Sequence, residues 1–410
     1  AKQLKGSQRN SITIRVWNNK NLLGITSTSD LTKLGLIRAV KGAYKASDFG
    51  NANESPDFSN LSTKELPKRD NPLSKSIGIN NLFEILKTAE HDLIKSHKYI
   101  DSVPYNGLNE TAIEKVYLNS DGSLRQMDIT QASIYLYAKG ESPGRKPRSG
   151  GAIRIGYGIS DLDIKECVEE SSRKVISHLN YKAIETGKYL VCFSPEAFLD
   201  LVGAFSNMYN ARSILDGVSL SNTKSLGEKI SVPFLTLSDE ALHPMNIGIF
   251  TFDGEGTPKQ NIKLINNGIL DNLLHSEATA REFKVNPTGH ASMGAKSSVS
   301  PDWFVVSKSN NSTCKYNDLS TNSYDEKYIL IESLNALHAG VKASQGSFSL
   351  PFDGWIVESG NKISIEAATV AGDIKTLLSS IIQIEDEQIT THQGICPHVW
   401  VDNLSITGEK

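Results

Sequence analysis

Residues 252–260 read Phe252-Asp253-Gly254-Glu255-Gly256-Thr257-Pro258-Lys259-Gln260, two carboxylates set between glycines with a Thr-Pro exit. Three readings compete: a phosphate cradle, a metal loop and a turn. A phosphate-binding loop needs Gly-Lys-Ser/Thr, and an EF-hand needs alternating acids and a distal glutamate; neither pattern is present. The stretch therefore reads first as a connection between two strands, 247–252 and 260–265, with Gly254 and Gly256 supplying unusual dihedrals and Pro258 stiffening the exit. Two carboxylates on so short a hairpin are not expected both to face a core, which makes Asp253 and Glu255 candidates for a cleft.

Working outward, the second half is strand-rich. Strands are expected at 188–193, 230–237, 247–252, 260–265, 269–274, 328–332, 354–357, 362–366 and 399–406, with Asn267-Gly268 as a two-residue turn. Ser194-Pro195-Glu196 opens a helix, serine capping and proline taking the first turn. Further helices are expected at about 276–283 and 373–382.

The first half opens on a hairpin, 11–17 and 22–26, then a helix capped by Ser29 or Asp30 on which Leu34, Ile37, Val40, Ala43 and Tyr44 share a stripe. A Ser-, Asn-, Asp- and Pro-rich excursion, 47–72, precedes a helix at 79–97 that turns Leu82, Ile85, Leu86, Ala89, Leu93 and Ile94 inward. Two strands, 112–118 and 124–137, flank Asp121-Gly122. The segment 140–151, with Arg145, Lys146 and Arg148, reads as a solvated loop, with phosphate binding as the alternative. A helix at 161–179 closes this half. Helices and strands do not alternate regularly, so the predicted fold is α+β in two domains with mostly antiparallel sheet: an N-terminal domain of hairpins and helices, 1–186, and a strand-rich domain, 187–410.

The 410 residues suffice for two cores. Lys+Arg at 43 against Asp+Glu at 46 argues against a nucleic-acid or anionic-membrane partner. No stretch approaches the roughly 20 apolar residues of a membrane span, and the N-terminus leads into no signal-like segment, so a cytoplasmic protein is expected. Cys167, Cys192, Cys314 and Cys396 are scattered without C-x-x-C, which suits a reducing compartment.

Gly-x-Ser-x-Gly is absent. Residues 289–297, GHASMGAKS, miss a Walker A loop by one inserted residue, Ala295. His392, Cys396 and His398 carry zinc-type donors near the C-terminus but lack a fourth candidate nearby, so an incidental grouping is the plainer reading.

The opening stretch, continued by Leu264-Ile265-Asn266-Asn267-Gly268-Ile269-Leu270, resembles the signature of the TldD/PmbA family. The likeness extends through Thr279-Ala280-Arg281, Thr288-Gly289-His290-Ala291, Gly346-Ser347-Phe348-Ser349, 354–360 (GWIVESG) and Thr369-Val370-Ala371-Gly372, covering about 11–408. The resemblance implies a family described both as modulators of DNA gyrase and as cytosolic metallopeptidases. Its catalytic branch carries His-Glu-x-x-x-His on the helix that here includes 201–208, LVGAFSNM, so that the histidines fall on Gly203 and Met208 and the glutamate on Ala204. Glycine and alanine offer no donor and a thioether is a poor zinc ligand, so this chain is expected to bind no metal there. The branch's late cysteine ligand falls near Gln383, well before Cys396, and is not carried across.

The chain thus resembles the PmbA (TldE) branch. That implies a metal-free subunit of a peptidase, pairing with a TldD-like chain that would hold the zinc, or associating as a homodimer. Asp253, Glu255 and His290 are then candidates for a peptide-binding cleft rather than for chemistry. A stand-alone regulatory protein of the gyrase-modulator kind is the alternative, and a hydrolase using a relocated metal at His392, Cys396 and His398 is a third. Departures from the family are the insert at 47–70, the basic loop at 145–148 and the lack of a helix ahead of the first hairpin, which makes a trimmed N-terminus the expectation.

Overall fold

The computed structural model describes residues 5–50, 58–293, 297–309, 319–321, 324 and 326–408. Cys314 and the glycine–lysine part of the Walker-like stretch, 294–296, lie outside these residues.

A hairpin, Ile12–Trp17 with Leu23–Thr28, leads into the helix Lys33–Ala46. Its cap is Thr32, whose hydroxyl accepts from the Gly35 N–H, while Asp30 in turn holds Thr32. Of the apolar stripe on this helix only Ala43 is buried; Leu34, Ile37, Val40 and Tyr44 are exposed, and Gly35 and Ala39 are the other buried residues. Small residues let the helix lie close on the hairpin, and this close approach decides which face is covered. At Gly24 a β-carbon would stand 1.9 Å from the Ala43 carbonyl oxygen.

The next unit is a three-stranded antiparallel sheet, Ile100–Leu118, Leu124–Gly140 and Arg148–Gly156, covered by the helices Ile79–Ser96 and Ile164–Ser177. Ala89 and Leu93, Ile134 and Leu136, and Cys167 and Val175 meet in its core. The segment 140–151 is an exposed loop over 141–147, as expected, but not beyond it. A strand begins at Arg148, and both arginines stack on Tyr181, with guanidinium carbons 5.0 Å (Arg145) and 4.4 Å (Arg148) from the ring centre. Arg145 also donates to the Tyr181 carbonyl and Arg148 to that of Ile365, so the basic residues fasten this unit to the next.

Beyond it, a nine-stranded sheet is built mainly on Ser347–Glu358, Val399–Gly408 and Gly187–Phe193, and a six-stranded sheet on Leu235–Glu240, Asn261–Asn266 and Phe304–Lys308. Pairings are antiparallel except for three parallel ones, and both sheets contribute to the main core around Phe198, Leu201, Leu237, Phe304 and Ile331. The fold is α+β with a strand-rich C-terminal part. The strand expected at 247–252 is not formed: Phe252 makes only an isolated bridge with Pro258. Ser347–Glu358 runs well beyond the four residues expected, with Pro351 accommodated within it.

The two long strands of the central ribbon, 19 and 17 residues, outreach their own core. At about 3.4 Å per residue they span roughly 60 Å, and the far end docks on the stretch 252–256. Lys115 Nζ donates to the Asp253 and Phe252 carbonyls at 3.0 and 3.3 Å, and Arg125 Nε to that of Gly256 at 3.3 Å.

Candidate functional site

Asp253 and Glu255 are both buried, at 2% and 9% exposure, against the expectation that they could not both be. Burial is possible for Asp253 because its oxygens are fully engaged. Oδ1 accepts the N–H groups of Glu255 at 2.8 Å and Thr257 at 3.0 Å, and Oδ2 accepts that of Ala291 at 2.9 Å. The aspartate replaces a strand ladder as the organiser of the turn, and it joins the turn to the 288–291 segment. Gly254 is needed where this junction closes, since a β-carbon there would lie 2.6 Å from the Met293 nitrogen. Burial raises the Asp253 carboxyl above its ordinary range, opposed by those N–H donors.

Glu255 is placed differently. Its Oε2 accepts the N–H of Glu277 at 2.7 Å, at the start of the helix Glu277–Phe283. Burial, with Asp253 nearby, pushes its carboxyl up to about 7. Its side chain lines a groove of about 1520 Å³ between the first hairpin, the ribbon tip and the start of that helix. Ile12, Ile14 and Val16 form one wall, Ile113 and Val116 another, and Glu255 with Glu277 the acidic end. Of the three cleft candidates, Glu255 faces this groove; Asp253 and His290 do not line it.

His290 faces a different group. Its Nε2 lies 3.5 Å from Asp239 Oδ2 and 3.6 Å from Asp302 Oδ2, and its Nδ1 is 2.9 Å from the Thr288 hydroxyl. Asp239 sits on the Leu235–Glu240 strand, in register with Phe304, so its two oxygens accept the N–H groups of Asp302 and Trp303, each at 2.9 Å. Lys259 pairs with Asp302. Burial, reinforced by Asp302, pushes the Asp239 carboxyl up to about 7, and burial pushes the His290 imidazole down to about 4, leaving it neutral. Asp239, Lys259 and Asp302 were not singled out from sequence. A signal existed: Leu235-Thr236-Leu237-Ser238-Asp239 alternates, which puts Asp239 on the buried face beside two leucines.

The helix Pro195–Ala204 is capped by Ser194, whose hydroxyl accepts the Ala197 N–H at 3.1 Å, and it ends at Ala204, one residue after Gly203. Met208 follows in a short 3-10 turn and is packed in the main core. A β-carbon at Gly203 would meet nothing within 4 Å, so the room for a longer side chain is there and the donor is not. These residues do not fit a zinc ion. The other zinc-type trio is not assembled either. Cys396 is fully buried with its thiol pushed well up by burial, His398 lies 4.0 Å from Glu385, and among the described residues the one three-membered group of metal-type side chains is Asp239, His290 and Asp302.

Residues 186–408 match the model of the PmbA/TldA metallopeptidase C-terminal domain, and residues 72–179 match that of its central domain. The chain belongs to the TldD/PmbA family. It is 25% identical over 405 residues to the metalloprotease PmbA of Escherichia coli O157:H7, covering 95% of this chain and 84% of that protein. Among solved structures, a Thermotoga maritima protein described as a candidate modulator of a DNA gyrase superposes with a TM-score of 0.85 at 22% identity, covering 97% of this chain and 89% of that one. TldE from Thermococcus kodakarensis gives 0.78 at 21% identity, with 97% and 90% covered. These likenesses establish the fold of this TldD/PmbA member. No described helix is long and apolar enough to cross a membrane.

Proposed function

We propose that this chain is the non-catalytic subunit of a cytosolic TldD/TldE-type peptidase, lacking the zinc motif of the catalytic branch and contributing part of the peptide-binding surface to a zinc-bearing TldD-like partner. The observation that carries this reading is the helix end at Gly203 and Ala204, with Met208 in the core: all three positions of His-Glu-x-x-x-His lack a usable group. Zinc in the partner would supply a polarised water for amide hydrolysis. This chain's part is to hold the peptide. The groove beside Glu255, with apolar walls and an acidic end, has the size and chemistry for an extended segment.

The test is a pull-down of the tagged chain from its native cells, with stoichiometry. A second chain of similar size bearing His-Glu-x-x-x-His, at about one to one, is the expected result. Recovery as a homodimer, or with gyrase and no such partner, overturns the subunit reading in favour of a stand-alone regulatory protein.

A further inference from the structure

The group formed by Asp239, His290 and Asp302 belongs neither to the degenerate helix nor to the groove, and its hydrogen bonding is incomplete. The Thr288 hydroxyl accepts the His275 N–H at 2.8 Å and donates to the His275 carbonyl at 3.2 Å. Its remaining lone pair is what meets His290 Nδ1, which therefore carries the ring proton. Nε2 is then a bare lone pair. It is fully buried, has no hydrogen-bond partner, and points at two carboxylate oxygens that are acceptors as well. Three acceptor atoms within 4.8 Å of one another repel unless a proton or a cation lies between them. Lys259 pairs directly with Asp302 and acts on Asp239 from farther away.

We infer that Asp239 Oδ2, His290 Nε2 and Asp302 Oδ2 form a binding site for one divalent transition-metal ion, with zinc the best match. Zinc bonds of 2.0–2.1 Å at tetrahedral angles set ligand atoms roughly 3.3–3.4 Å apart. The separations from Nε2, 3.5 and 3.6 Å, need only a small contraction to reach that spacing. One imidazole and two carboxylates leave a fourth position for water, and the partial exposure of Asp302, at 21%, gives the route of entry. The backbone N–H groups on both Asp239 oxygens and Thr288 on His290 Nδ1 hold the ligands in orientation, as outer-shell partners of a metal do. The role is structural. The ion would tie the Leu235–Glu240 strand and the loop ahead of Phe304 to His290, whose neighbour Ala291 grips Asp253. Lys259 is the competing cation, and this gives the site its distinguishing test.

The experiment is zinc titration by calorimetry on full-length protein stripped with EDTA, alongside Lys259→Met, Asp302→Asn and His290→Ala, with circular dichroism confirming that each variant is folded. The expected result is one Zn²⁺ per chain, binding at least tenfold tighter in Lys259→Met and at least tenfold weaker in Asp302→Asn, with loss in His290→Ala. Lys259→Met keeps the test decisive should His290→Ala fail to fold. Absence of zinc uptake in both the natural chain and Lys259→Met overturns the assignment, as does uptake that Asp302→Asn leaves unchanged. Neither result touches the subunit reading, which the pull-down tests separately.

Discussion

Asp253 and Glu255 are separated by one glycine and are both buried, yet they are placed differently. Asp253 accepts three backbone N–H groups from two segments and does not line the groove. Glu255 accepts a backbone N–H from the helix start and also lines the groove. In a signature that carries two acids, the first thus builds the turn and the second is presented by it. The sharpest way to break this distinction is to remove each in turn. Asp253→Ala would strand three N–H groups in a dry junction at ~1–3 kcal/mol apiece, so a loss of about 3 kcal/mol or more is expected in denaturant unfolding. A loss below about 1 kcal/mol would mean that the turn holds without its aspartate.

The ribbon tip allows a smaller test of the same distinction. Lys115 reaches the carbonyls of Phe252 and Asp253, and its ammonium lies 5.0 and 4.9 Å from the ring centres of Phe250 and Phe252. Burial lowers its amine to about 8, with Asp253 opposing that shift. Lys115→Met keeps the stem's packing and removes the donor, for an expected cost of about 1–2 kcal/mol. If the turn is held from within by Asp253, this variant should destabilise less than Asp253→Ala. The reverse order would make the ribbon the organiser.

What was legible in the sequence follows from how local each cause is. The helix opened by Ser194-Pro195-Glu196 was readable because cap, proline and acid act within one turn. So was the missing metal motif, whose three positions fall within six residues of one segment. The burial of Asp253 was not, because one of its three donors is Ala291, 38 residues away. The stripe on Lys33–Ala46 shows a related limit: periodicity marks an apolar face, but the close approach of Ala43 to Gly24 decided which residues the hairpin covers. The acid–histidine group was hardest, since Asp239, Lys259, His290 and Asp302 come together only through sheet register and the loop ahead of Phe304.

The last test concerns Glu255 alone and reads its ionisation directly. Its carboxyl titrates at about 7 when folded against 4.5 ordinarily, raised by burial and then by Asp253. Between those values the native state holds more protons than the unfolded chain, so this group makes stability fall as pH rises from about 4.5 to about 7, and adds no further change above. Glu255→Gln fixes the side chain neutral while its amide oxygen can still accept the Glu277 N–H. Asp239 and His290 titrate over part of the same window but do so in both proteins, so the difference between the two stability curves reports Glu255 together with its coupling to Asp253. That difference should grow in favour of the variant across the window, by roughly 3 kcal/mol for a rise of that size, and be flat above it. Parallel curves would mean that Glu255 ionises as an ordinary surface carboxylate. The groove would then carry a fixed negative charge at its end at neutral pH, favouring peptides with a cationic end, whereas a carboxyl near 7 leaves that preference adjustable by pH.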